Sequence, residues 1–211
     1  FVEGAKNPNA ILGANFVSGL LYYEWNDLQA ARDHFEKVFE LRSHSNFRAS
    51  FTSALGLARI HQLQGDREQA QEMFKSLREH TLSLNNTDLL PLLEAAQAQQ
   101  WLYQGDTLSA LRWARSLQRE PLQDNMFKFE LPVLTKARIL VAAGAMDEMR
   151  TMRSHLQKQA DTLQAHNFTS RTIQVLAHLA LLELRLGFSG DALEALQRAL
   201  ILGRPGGFIR S

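Results

Sequence analysis

The sequence predicts an all-α protein, an array of about five helical hairpins, from three observations. Turn residues recur at Asn26, Gly65, Gly105, Gly144 and Gly187, with spacings of 39, 40, 39 and 43. Seven residues before each stands a small residue: Gly19, Ala58, Ala98, Ala137 and Ala180. Five residues after each stand Ala31, Ala70, Ala110, Met149 and Ala192, small in four of five copies. Two antiparallel helices approach within ~8–10 Å only where small residues meet, so these two positions mark the contact inside each hairpin.

The elements follow in order. The first repeat, residues 8–42, opens at Asn7-Pro8, a cap and a first-turn proline, and its first helix runs to about Glu24. Asn26-Asp27 turns the chain and Asp27 caps a second helix, on which Leu28, Ala31, Phe35, Val38 and Leu41 share one face. Residues 43–46 link to the second repeat, 47–84, where Gly65 supplies the positive φ that ends one helix and Asp66 caps the next. A polar break over 84–88 leads into the third repeat, 88–120. It turns at Gly105-Asp106, resumes to about Gln118 and stops at Glu120-Pro121. The fourth, 125–166, is the most divergent, with Met149 and Arg153 where the template has Ala and Phe. The fifth, 169–202, turns over Gly187–Gly190, and a tail with Pro205, Gly206, Gly207, Phe208 and Ile209 follows. Such an array is expected to form one domain over 1–211, because each repeat packs on its neighbours.

Bulk properties exclude several classes. The 23 basic and 22 acidic residues leave a formal charge of +1, with no general pull toward nucleic acid or anionic membrane. With no cysteine, the chain has neither disulfides nor thiolate metal sites, which suits a reducing compartment. No apolar run approaches the ~18–20 residues of a membrane span. The start, FVEGAKNPNA, has neither an initiator Met nor signal-peptide order, so the chain reads as a fragment of a longer, cytoplasmic protein.

The turn glycine, the paired small positions and the Ala-x-x-x-Phe of Ala31/Phe35 and Ala70/Phe74 resemble the tetratricopeptide (TPR) family. The period near 40 exceeds that family's 34, which implies longer helices and a subfamily. Residues 173–211 narrow it. The run Ala199, Leu200, Leu202, Pro205, Gly207, Phe208, Ile209, Arg210 resembles the end of the repeat domain in MalT-like, LuxR-type large ATP-binding transcription regulators. Gly203 and Gly206 depart from that pattern, and the stretch 129–144, with Arg138 and Leu140, is also similar. The resemblance implies a right-handed α-α superhelix that receives an inducer or a regulatory protein. In such proteins an ATP-binding switch and a DNA-binding helix-turn-helix lie outside this segment.

No catalytic spacing is present. The sequence has no Gly-x-x-x-x-Gly-Lys phosphate loop, no His-Glu-x-x-His pair and no Gly-x-Ser-x-Gly elbow. The expectation is a non-enzyme with no metal and no cofactor of its own. His61 reads as a packed histidine and Trp101 and Trp113 as core. Arg112, Arg115 and Arg119 form either a stripe for phosphate or an acidic partner or a solvated face, and the balanced charge favours the latter.

First helices line the concave surface of such arrays. Counting six, three and two residues back from each turn gives the inward stripe: Tyr23, Glu24, Arg59, Gln62, Gln99, Tyr103, Arg138 and Arg185. Rings, guanidinium forks and amides suit a sugar, an acyl group or a peptide backbone. Two readings stay open. One is the effector-binding and oligomerisation domain of a MalT-like regulator, with a small-molecule inducer or regulatory protein as partner and possible self-association. The other is a TPR scaffold that binds a partner peptide with no inducer. Under both, this segment itself binds neither DNA nor membrane.

Overall fold

The computed structural model describes residues 8–41, 47–117 and 132–204, and these are helical with short turns. The helices are α1 (Pro8–Glu24), α2 (Leu28–Glu40), α3 (Phe47–Gln64), α4 (Arg67–Ser83) and α5 (Leu90–Tyr103). They continue with α6 (Thr107–Ser116), α7 (Pro132–Ala143), α8 (Met146–Ala165), α9 (Thr169–Leu186) and α10 (Ser189–Gly203). The link at 43–46, Arg119, Glu120-Pro121, the start at Asn125 and the tail from Pro205 lie outside the described residues, as does Asn7.

Every expected turn is made by the same local chemistry. Asn26, Gly65, Gly105, Gly144 and Gly187 all have positive φ, between 62 and 89°. The left-handed conformation strains a residue with a Cβ, and glycine and asparagine tolerate it best. The following N–H then reaches back over the turn: Asp27 to Tyr22 O, Asp66 to His61 O, Asp106 to Trp101 O, Ala145 to Leu140 O and Phe188 to Glu183 O, at 2.9–3.1 Å. This closes the last open carbonyls of each first helix. Asp27, Asp66 and Asp106 cap the second helices, accepting from Ala30, Gln69 and Ser109 N–H at 3.1, 3.3 and 3.0 Å. Ser109 holds the Asp106 carboxyl below the usual carboxylate range.

Three boundaries move. The fifth-repeat turn is tighter than Gly187–Gly190, because Gly187 alone of those residues is left-handed and Gly190 lies in the first turn of α10. The third repeat enters through a short 3-10 turn, Thr87–Leu89, so its α-helix starts at Leu90 and not Asp88. Its second helix ends at Ser116, where Leu117 is extended.

The described residues divide into two compact units, one within residues 8–96 and one within residues 97–204. In the first, the small positions do what their spacing implies. A Cβ on Gly19 would collide with the buried Phe35 ring, so glycine fits where the ring crosses α1. Phe35 is fully buried with Leu12, Leu20 and Val38, and with Leu57 and Ile60 of the next hairpin. Phe74 repeats this against Leu89, Leu93 and Ala96. The second unit closes around Leu134, Leu140, Met149, Leu156, Leu176, Leu179 and Ala195. Met149, large where its equivalents are alanine, is buried in that core.

Candidate functional site

The eight stripe residues do not share one environment. Tyr23 is packed in the first unit's core, Arg59 is buried on α3, and Glu24 is half-buried. Gln62 has both amide atoms buried without a hydrogen-bond partner. In the second unit Gln99 is buried and its Nε2 donates to the Tyr103 hydroxyl at 3.0 Å, which brings those two together. Tyr103 is 56% exposed, and Arg185 is exposed in the last turn of α9. Arg138 Nε donates to His178 Nε2 at 2.6 Å, from α7 to α9. Six residues before the turn is therefore a position between repeats, shown by Leu20 against Ile60 and by Arg138 against His178. A stripe that faces a neighbouring helix is not an open surface.

His178 is electrostatically the most perturbed of these neighbours. Its Nδ1–H donates to the Gln174 carbonyl at 2.6 Å, leaving Nε2 as the acceptor for Arg138 and fixing a neutral tautomer. Burial, with the Arg138 charge second, lowers its pKa to about 4, against a smaller upward pull from Gln174.

A charged concavity lies elsewhere in the second unit. A cavity of about 940 Å³ runs between α8 and α10, with Glu183 of α9 in its wall. It begins at Arg153, the residue that replaces the template's phenylalanine. Arg153 Nε meets Glu183 Oε1 at 2.9 Å and its Nη2 meets Asp191 Oδ2 at 2.6 Å. The guanidinium lies 4.6 Å from the centre of the Phe188 ring, a cation–π contact. Farther along, Arg198 bonds Asp161 at 3.1 Å and Gln164 at 2.7 Å. Lys158, Glu194 and His166 also line it. Glu183 is 2% exposed, and its Oε2 is buried with no hydrogen-bond partner. Burial raises its pKa, the Arg153 hydrogen bond and charge oppose that, and Asp191 and Glu194 add to the rise.

A family model described as the MalT-like TPR region matches residues 4–211. The chain belongs to that family. No curated protein shows significant sequence similarity to it. Membership of the MalT-like TPR region agrees with the helical hairpins and their turns, and TPR repeats mediate protein interactions and are typically non-catalytic. Among the described residues no cluster of His, Asp or Glu is disposed to hold a metal ion. No described helix is long and apolar enough to cross a membrane.

Sequence reasoning missed the cavity because it counted inward from first helices, whereas these walls come mainly from two second helices, with Glu183 as the contribution of α9. One signal was present: an arginine at position 153, where the repeat template puts a buried aromatic ring. Of the arginine stripe, Arg115 pairs with Glu148 at 2.9 Å and Arg112 bonds Ser109 at 2.9 Å. His61 is buried, with Nδ1 at 3.3 Å from Asp66 Oδ2 but out of hydrogen-bond alignment.

Proposed function

We propose that this MalT-like repeat region is the effector-sensing and interaction domain of a LuxR-family, ATP-binding transcriptional regulator, and that the α8–α10 cavity receives the effector. Family membership supports the regulatory setting. The observation that carries the site is a charged cavity with a buried, half-satisfied carboxylate where the template would seal the hairpins with a phenylalanine. An occupant that binds one arrangement of the hairpins more tightly than another shifts the parent protein between its states. The region itself has no catalytic role, reads no DNA and works in the cytoplasm.

A thermal-shift screen of sugars, aromatic acids, acyl-coenzymes and short peptides tests this. A ligand at a hundred times its Kd adds about 2.7 kcal/mol of stability. A hit abolished by Ser154→Trp, which fills the cavity from an exposed lining position, supports the site. Hits indifferent to that substitution put the effector elsewhere. A second reading, a scaffold for a partner peptide or for a second copy, draws on exposed Leu181, Leu184, Leu193, Leu200 and Ile201 of α9 and α10. Peptide hits with silence from every small molecule favour it.

A further inference from the structure

We propose that the α9–α10 wall of this cavity is a receptor for an ammonium or guanidinium group, carried by a free amine or by a Lys or Arg side chain of a peptide. The inference rests on the cavity being the effector site. Three carboxylates stand on that wall, Glu183, Asp191 and Glu194, and Arg153 is bonded to two of them. Glu194 makes no ion pair with a described residue, and Glu183 Oε2 is buried and accepts nothing. A buried carboxylate oxygen without a donor is costly, and the donor that relieves it best is a cation.

Other occupants fit less well. An anion would face the three carboxylates, and Asp161 already holds Arg198 at the far end. A metal ion lacks its ligand set, since no described cluster is disposed to hold one. A neutral polyol would leave Glu194 without a cationic partner among the described residues. Burial first, then the neighbouring Asp191 and Glu194, raise the Glu183 pKa against the pull of Arg153, so a further cation beside it would favour the charged carboxylate. Lys158 on α8, which forms no ion pair with a described residue, is placed to meet an acidic group on the same ligand, such as an amino-acid carboxylate.

The test titrates the 211-residue chain with agmatine, which carries both cationic groups and no acid, and with an arginine-containing tripeptide, followed by calorimetry. Saturable binding that Glu194→Gln weakens roughly tenfold or more, with an unchanged melt, supports the proposal. Glu194 is exposed, so this substitution leaves the core intact. Binding of agmatine alone identifies a free amine, and binding of the peptide alone identifies a protein segment. No saturable binding of either, or full binding by Glu194→Gln, overturns it. A neutral or acidic ligand blocked by Ser154→Trp would overturn the cation receptor and leave the sensor reading standing.

Discussion

The grooves between successive second helices differ sharply between the two units. Between α2 and α4 the space is about 370 Å³, and between α8 and α10 it is about 940 Å³. The positions correspond. Gln69 and Asp191 stand four residues past their turn glycines, Glu72 and Glu194 seven, Met73 and Ala195 eight, and Ser76 and Arg198 eleven. Phe39 and Gln157 likewise stand thirteen past their turns. Met73 and Phe39 fill the first groove, and an alanine and a glutamine at the same places leave the second open. Phe35 and Phe74 seal their hairpins with buried rings, whereas Arg153 reaches across to Glu183 and Asp191. The backbone template is shared. Three changed positions, Arg153, Gln157 and Ala195, turn a packed seam into an open, charged cavity.

The largest effect is expected where the aromatic seal is removed. Phe35→Ala should cost about 3–5 kcal/mol in urea denaturation, because it deletes a fully buried ring between two hairpins. If it costs no more than a surface substitution, the seal is not the basis of the contrast.

Acid should act next, on the second unit. The folded pKa of His178 lies below its ordinary value of 6.5, at about 4. The stability linked to its neutral form is therefore complete above pH 6.5 and is lost as pH falls toward 4. The shift corresponds to roughly 3 kcal/mol. His178→Gln retains an acceptor for Arg138 and should flatten this part of the profile. Hydrogen exchange at pH 7 and pH 4.5 should show the loss in α7 and α9 before α1 and α2.

Removing the cation of the cavity should cost somewhat less. Arg153→Met leaves Glu183 buried without its partner, at about 1–3 kcal/mol, a figure held down because Arg153 is 34% exposed. Adding Glu183→Gln should recover most of that loss, and failure to do so would assign it to packing against Phe188. A similar cost, about 1–3 kcal/mol, is expected for Ala98→Leu, which overpacks a fully buried small position. The smallest effect on stability is Ala195→Met, about 1 kcal/mol at most if the side chain turns into the open cavity as Met73 occupies the other groove. Its informative readout is ligand binding, which it should abolish.

Sequence alone determined the hairpins and their turns among the described residues. The reason is local: a left-handed residue is needed at each turn, and glycine or asparagine supplies it at Asn26, Gly65, Gly105, Gly144 and Gly187. The same holds for the aspartate caps, which bond an N–H three residues away. The small positions, too, were legible, since Gly19 admits the Phe35 ring only by lacking a Cβ.

The tertiary structure decided which side chains are open to a ligand. Tyr23, Arg59 and Gln99 have the chemistry of a binding stripe, yet neighbouring helices bury them, and periodicity along one helix does not report what covers it. The α8–α10 cavity likewise depends on residues about forty apart meeting across a gap. Its size follows from the volume missing at Ala195 and Gln157, and its charge from Arg153, Glu183, Asp191 and Glu194 converging from three helices. A sequence pattern holds each of those residues but not the distance between them, and that distance sets the field at the Glu183 carboxylate.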